Sequence, residues 1–257
     1  MAASSWRGLL IDIDGVLHVG EQPLEGAREA IDRLRAHGPP FRLVTNTTSR
    51  SRRLVVERLR GMGFELEAGE VLTPASLAVE LCGERGYERV ALHVADALLE
   101  DLAELAGGQD ARDPQAVILG DLGEGFTYAR LNAIFAQLRA GAELLALQRN
   151  RYWQSERGLV LDAGPFVAAL EYASGREAVV TGKPSRAFFA TALGQLGVAA
   201  GEAAMIGDDL EADVGGAIDA GLSGVLVRTG KFREADLAAS SVRPTLVWDS
   251  IAELARS

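Results

Sequence analysis

Short apolar runs alternate with helix-patterned segments at both ends of this chain, and that alternation restricts the fold more than any other feature. "RGLLIDI" is followed by "GAREAIDRLRAHG", in which Ala27, Ala30, Ile31 and Leu34 fall at i, i+3, i+4 and i+7 of one helical face. "FRLVT" then reads as a short strand and "SRRLVVERLRGMG" as a helix closing on glycine. The rhythm returns near the C-terminus with the strand "REAVVTG", the helix "SRAFFATALGQLG", the strand "AAMIGDD", the helix "EADVGGAIDAG" and the strand "GVLVRTG". Continuous apolar strands separated by amphipathic helices predict an α/β fold, a doubly wound parallel sheet covered on both faces. In such sheets, ligands sit beyond the carboxyl ends of the strands.

Between Thr73 and about Ala178 the chain has an alternation of its own: "RVALHVA", "AVILG", the helix "TYARLNAIFAQLRAG", the strand "ELLALQ", the segment "NRYWQSERGLVLDAG" and the helix "PFVAALEYASG". At roughly 100 residues this region is long enough to be a domain. The expected organisation is a core of residues 1–73 and 179–257 carrying an α/β insertion, 74–178. There is no internal repeat of fixed period, and "AELAGGQDARDPQ" is a loop-like polar patch.

Composition removes several function classes. With 257 residues, 48% of them hydrophobic and 24% charged, the chain can bury a proper core. A net charge of −10 argues against nucleic acid or an anionic membrane as the default partner, so a bound anion needs a local positive site. The one cysteine, Cys82, cannot form an intramolecular disulfide and sits in a helical apolar pattern, where an inert role is expected. No apolar run reaches the roughly 18 residues that span a bilayer. "MAASSWRGLL" lacks a signal-peptide layout, so a cytoplasmic protein is expected.

The chemistry concentrates at the strand ends. "LLIDIDGVLH" runs an apolar strand into Asp12 and Asp14, which at i and i+2 begin on one face as a like-charge pair. Such a pair raises its own pKa or needs a cation nearby. Thr45-Asn46-Thr47, Thr181-Gly182-Lys183-Pro184 and Gly207-Asp208-Asp209, with Asp213 beyond, each follow a short apolar run as well. Carboxylates without clustered His or Cys suit a hard cation such as Mg²⁺. Beside a lysine and hydroxyl or amide donors, that set has the parts of a phosphoryl-transfer site. Each motif alone also has a plainer reading. D-x-D-G makes a solvated turn, Asp208 or Asp209 can cap the following helix, and Lys183 before Pro184 can be an exposed strand end. His18, His37 and His93 lack ligand spacing, and Tyr152 and Trp153 fit packing of the insertion better than substrate contact. The motifs of nucleotide-binding P-loops, serine hydrolases, zinc proteases and paired-cysteine sites are absent.

Taken in order, "DIDGVL", "VTNTTSRS", "VTGKPS" and "MIGDDLEADVGGA" resemble the four-motif signature of the haloacid dehalogenase (HAD) superfamily, and the insertion resembles the subclass with an α/β cap after the second motif. The resemblance covers nearly the whole chain. It implies a Rossmann-like HAD core with an inserted α/β cap, and an Mg²⁺-dependent phosphatase of small phosphorylated substrates working through an aspartyl-phosphate. Asp12 would be the nucleophile and Asp14 the general acid and then base. Asp12, the Asp14 main-chain carbonyl and Asp208 would hold Mg²⁺. Asp12, Ile13, Asp14, Thr45, Asn46 and Lys183 would bind the phosphoryl group, with Asp209 and Asp213 orienting metal waters and the lysine. Relatives in the subgroup can carry serine at the second acidic position; this chain keeps Asp14. That residue speaks against a dehalogenase or phosphonate hydrolase on the same scaffold. A phosphomutase and a catalytically silent phospho-ligand-binding regulator remain as alternatives, and a homodimer is a possible assembly.

Overall fold

Gly8–Asp12, buried along its whole length, is one of the two central strands of a six-stranded sheet. The computed structural model describes residues 6–105, 111–155 and 158–256. In order across the sheet come Leu246–Trp248, Ser223–Val227, Ala203–Gly207, Gly8–Asp12, Phe41–Val44 and Val71–Leu72. Every neighbouring pair is parallel. The chain steps outward from Gly8–Asp12 through Phe41–Val44 to Val71–Leu72, then returns to Ala203–Gly207 on the opposite flank and steps outward again. The order therefore reverses between Gly8–Asp12 and Ala203–Gly207, which makes the crevice beyond their carboxyl ends the natural ligand position.

The helices of this unit bury the faces that their spacing defines. Ala27–His37 buries Ala27, Ala30, Ile31 and Leu34, and Arg52–Gly61 buries Val55, Val56 and Leu59. Arg186–Leu196 starts on Ser185, whose hydroxyl accepts the Phe188 amide, and buries Phe188 and Phe189. One apolar cluster joins Leu9 and Ile11 to Ile31, Leu43, Leu59, Ile206 and Trp248. Trp6 closes it, donating its indole N–H to Ser223 at 3.1 Å.

"EADVGGAIDAG" is not one regular helix. Leu210–Gly215 is a wider turn in which the Val214 amide reaches back five residues to Asp209, and a short α-helix, Gly216–Asp219, follows. Close approach explains the glycines: a Cβ on Gly216 would stand 2.6 Å from Pro184. The edge strands Val71–Leu72 and Leu246–Trp248 are too short to leave a period in the sequence.

Clustering by contact divides the chain into two units. One takes the residues up to Thr45, Arg52–Leu72 and those from Lys183 onward; the other takes Asn46–Ser51 and Thr73–Gly182. The second unit is built on a four-stranded parallel sheet in the order Val179–Val180, Glu143–Ala146, Ala116–Leu119, Val90–His93. Val179–Val180, expected in the core sheet and as the start of the core's second segment, pairs here with Leu145 and Ala146. A two-residue apolar run carries no information about which sheet accepts it. Helices Pro74–Glu84, Tyr128–Ala140 and Ala163–Ser174 complete the unit. Within "NRYWQSERGLVLDAG", Tyr152–Ser155 and Gly158–Leu161 pair antiparallel as a hairpin. Tyr152 is 55% exposed rather than packed. The Trp153 side chain and residues 106–110 of the polar patch lie outside what the structure describes. Among the described residues no helix is long and apolar enough to cross a membrane.

Candidate active site

Three carboxylates meet at the reversal point of the core sheet. Asp12 ends its strand, Asp208 follows Gly207 directly, and Asp213 is carried back by the wide turn; one oxygen from each lies within 4.8 Å of the others, and all three residues are buried. Gly207 must be glycine for this, because a Cβ there would collide with the Asp213 side chain. Lys183, buried to 3% exposure, places its ammonium 2.6 Å from Asp12 Oδ1 and 2.7 Å from Asp213 Oδ1. Asp208 Oδ1 is buried without a hydrogen-bond partner.

Burial dominates the electrostatics. It raises Asp12 to about 6, with Lys183 opposing and Asp208 adding to the rise. It raises Asp208 to about 6 against the Lys231 amide, and Asp213 to about 7 with the Asp12 carboxylate adding. Burial works against the Lys183 ammonium too, but Asp12 and Asp213 outweigh it and hold its pKa above the ordinary lysine value. One buried ammonium thus faces three buried carboxylates. An all-oxygen donor set, an excess of negative charge and an unpartnered carboxylate oxygen fit a hard divalent cation.

The remaining expected residues are placed as follows. The Asp14 side chain is 61% exposed and stands apart from the three-acid cluster, with His18 Nε2 3.7 Å and Arg58 Nη1 4.0 Å from its Oδ1. The Gly15 amide donates to His18 O at 2.8 Å and so fixes the peptide that carries the Asp14 carbonyl. Ile13 is buried in the apolar cluster, which leaves only its backbone for a ligand. Thr45 is buried at the end of its strand, its amide bonded to Leu72 O at 3.2 Å. Asn46, the next residue, belongs to the second unit, where its Oδ1 borders Gly182. Asp209, expected to orient metal waters and the lysine, caps the turn, accepting the Glu211 and Ala212 amides, and pairs with Lys231 at 3.1 Å. The sequence gives Thr229, Gly230 and Lys231 no role, although "VRTGKFR" ends a strand like the other motifs. Lys231 donates its amide to Asp208 Oδ2 at 2.7 Å.

Residues 9–107 match the family "Haloacid dehalogenase-like hydrolase", and residues 180–254 match a second, "HAD-hydrolase-like", family. The human haloacid dehalogenase-like hydrolase domain-containing protein 2 is 41% identical over 97% of this chain and 94% of its own. The fold is that of a 4-nitrophenylphosphatase from Thermotoga maritima, 28% identical with TM-score 0.89 over 99% of this chain and 98% of that one. It is also that of a glycerol phosphate phosphatase from Mycobacterium tuberculosis in complex with magnesium, 32% identical with TM-score 0.83 over 98% of this chain and 77% of that one. The chain belongs to the haloacid dehalogenase-like hydrolase family. It is an enzyme of that class, with the Rossmann-like α/β core and inserted cap of its structural neighbours.

Proposed function

We propose that the chain is an Mg²⁺-dependent phosphatase of small phosphorylated molecules that works through an aspartyl-phosphate on Asp12. The carrying observation is the set of three buried carboxylates within 4.8 Å with the Lys183 ammonium between two of them. Both solved relatives are phosphatases, and one holds magnesium. Asp12, Asp208 and the Asp14 carbonyl would hold the ion, which when bound supplies positive charge against the phosphoryl oxygens.

The chain's own residues then divide the work. An Asp12 oxygen attacks phosphorus, the bond to the leaving oxygen breaks, and Asp14 gives that oxygen its proton. Asp14 next takes a proton from water, which attacks phosphorus and breaks the bond to Asp12, releasing inorganic phosphate. Lys183 offsets charge on the phosphoryl group, and Asp213 keeps the ammonium in place when Asp12 is engaged. Thr45 and the Ile13 and Asp14 backbone supply further contacts. The insertion, 74–178 by sequence, takes the part of a cap that selects the leaving group, since the core carries only phosphate-handling groups. A single, buried Cys82 suits a reducing, cytoplasmic setting.

The test is hydrolysis of p-nitrophenyl phosphate, an alkyl phosphate and pyrophosphate by metal-free protein, with and without Mg²⁺. Turnover should appear only with Mg²⁺ and vanish in Asp12→Asn. Equal rates in chelator would end the metal assignment, and silence on all three substrates with Mg²⁺ would end the phosphatase reading.

A further inference from the structure

Two glycines and one amide converge on a single oxygen of Asp208. Oδ2 accepts the Lys231 N–H at 2.7 Å, and a Cβ added at either Gly15 or Gly230 would collide with that same atom. Both glycines have positive φ, 83° and 60°, where other residues are strained. The neighbouring Asp209 is committed at both oxygens: Oδ2 pairs with Lys231 Nζ, and Oδ1 accepts the Glu211 and Ala212 amides. Of the four oxygens on this acid pair, only Asp208 Oδ1 is buried and unpartnered. Lys231 thus engages both acids, one by its backbone and one by its side chain. Thr229 ties the same loop to the other side of the site, its hydroxyl donating to Gly15 O at 2.6 Å.

We propose that the loop Thr229-Gly230-Lys231 is the positioning device of the metal site, presenting Asp208 to the ion through Oδ1 alone and fixing the Gly15 turn against it. This rests on the magnesium reading above. The three residues act through Asp208 and Gly15. The physical reason lies in the ion: Mg²⁺ demands near-octahedral geometry at short distance, so a carboxylate that turned and offered both oxygens would bind it poorly. Holding one oxygen with an amide before the ion arrives removes that freedom, and outer partners of this kind typically alter metal affinity by about 10- to 100-fold. The Thr229 hydroxyl has an equivalent task on the Gly15 side, because a shifted Gly15 would no longer wall in Asp208 Oδ2.

The experiment is calorimetric titration of metal-free protein with Mg²⁺, on wild type, Asp208→Asn, Thr229→Val, Thr229→Ser and Gly230→Ala, with thermal unfolding in chelator to establish that each variant is folded. Thr229→Val keeps the side-chain volume, so it is expected to fold and to bind Mg²⁺ about 10-fold more weakly. Thr229→Ser restores the hydroxyl and should return to within about two-fold of wild type. Gly230→Ala pushes a methyl group into Asp208 and should lose more than Thr229→Val. In steady-state assays the Mg²⁺ concentration for half-maximal rate should rise more than kcat falls. If Gly230→Ala does not fold, the Thr229 pair decides. A wild type that takes up no Mg²⁺ sinks the metal reading itself. A wild type that binds and an Asp208→Asn that does not, beside a Thr229→Val with wild-type affinity or a Thr229→Ser that fails to recover, leaves the metal site standing and overturns the loop's role.

Discussion

The ammonium of Lys183 stands 2.7 Å from Asp213 Oδ1, with both side chains buried. The same ammonium is 2.6 Å from Asp12 Oδ1, so one cation is shared between the proposed nucleophile and an acid that has no substrate of its own. Asp213→Asn keeps the shape but releases one side of the lysine, whereas Asp208→Asn removes the carboxylate whose unpartnered oxygen is proposed to hold the ion. We expect Asp208→Asn to abolish Mg²⁺-dependent turnover. Asp213→Asn should lower kcat by roughly 10- to 100-fold, as for an outer partner, with a smaller change in the Mg²⁺ requirement. Steady-state kinetics over a magnesium series distinguishes the two, and undiminished activity of both at saturating Mg²⁺ would rule out the assignment.

The raised carboxyls couple stability to pH and metal. Asp12 and Asp208 lie at about 6 and Asp213 at about 7, all chiefly through burial, whereas a free Asp titrates near ~3.9. Between those limits the folded, metal-free protein holds more protons than the unfolded chain, so these groups make stability fall as pH rises from about 4 to 7. A cation competes with the same protons. The rise in Tm on adding Mg²⁺ should therefore be larger at pH 8 than at pH 5.5. His18, lowered by burial despite the Asp14 carboxylate, contributes with the opposite sign below its ordinary pKa. Thermal melts with and without Mg²⁺ at the two pH values measure this, and an equal gain at both would contradict it.

Side chains that bury an apolar face announced themselves, and backbone features did not. Ala27, Ala30, Ile31 and Leu34 fall on one face by their spacing, and the same four are buried. Asp12 and Asp208 are far apart in the chain, yet both follow apolar strands that the doubly wound sheet sets side by side, and Asp213 and Lys183, which follow no strand of that sheet, join them through the turn after Asp208 and the ion pairs of the lysine. Thr229, Gly230 and Lys231 escaped because two of their three contributions are a main-chain amide and the space left by a missing Cβ. The five-residue reach from Val214 to Asp209 escaped for a related reason, since it is set by packing of Gly215 and Gly216 rather than by apolar period. Val179–Val180 and the hairpin around residues 152–161 are too short or too mixed to declare their partners.

The insertion carries its own cores, which makes its independence testable. Leu92, Ile118 and Leu145 belong to one cluster of the four-stranded sheet, and Ala91, Val117 and Leu144 to another. Strands that alternate between two filled faces need no further layer to bury them. A fragment of residues 73–182, expressed alone, should unfold cooperatively and give a dispersed amide spectrum. A broad, non-cooperative melt by circular dichroism would show that the insertion depends on the core for its fold.

Asp12 and Asp14 differ in place, and substitution should separate their tasks. Asp12 is buried among Lys183, Asp208 and Asp213, while the Asp14 carboxylate is exposed and outside that cluster, free to meet a leaving oxygen. Asp12→Asn removes the nucleophile, so no phosphoenzyme can form with any leaving group. Asp14→Asn keeps the nucleophile and deletes proton transfer, which typically contributes about 10²–10⁴-fold. Its loss should depend on the substrate: an aryl phosphate leaves without needing a proton and should still phosphorylate Asp12, whereas an alkyl phosphate should react very slowly. Water attack then lacks its base, so the acyl-phosphate should accumulate on the aryl substrate. Rapid-quench mass spectrometry of both variants with both substrates reads the covalent adduct directly. An Asp12→Asn protein that still gained a phosphoryl group, or an Asp14→Asn protein that lost both substrates equally and trapped nothing, would reverse the roles assigned to the two carboxylates.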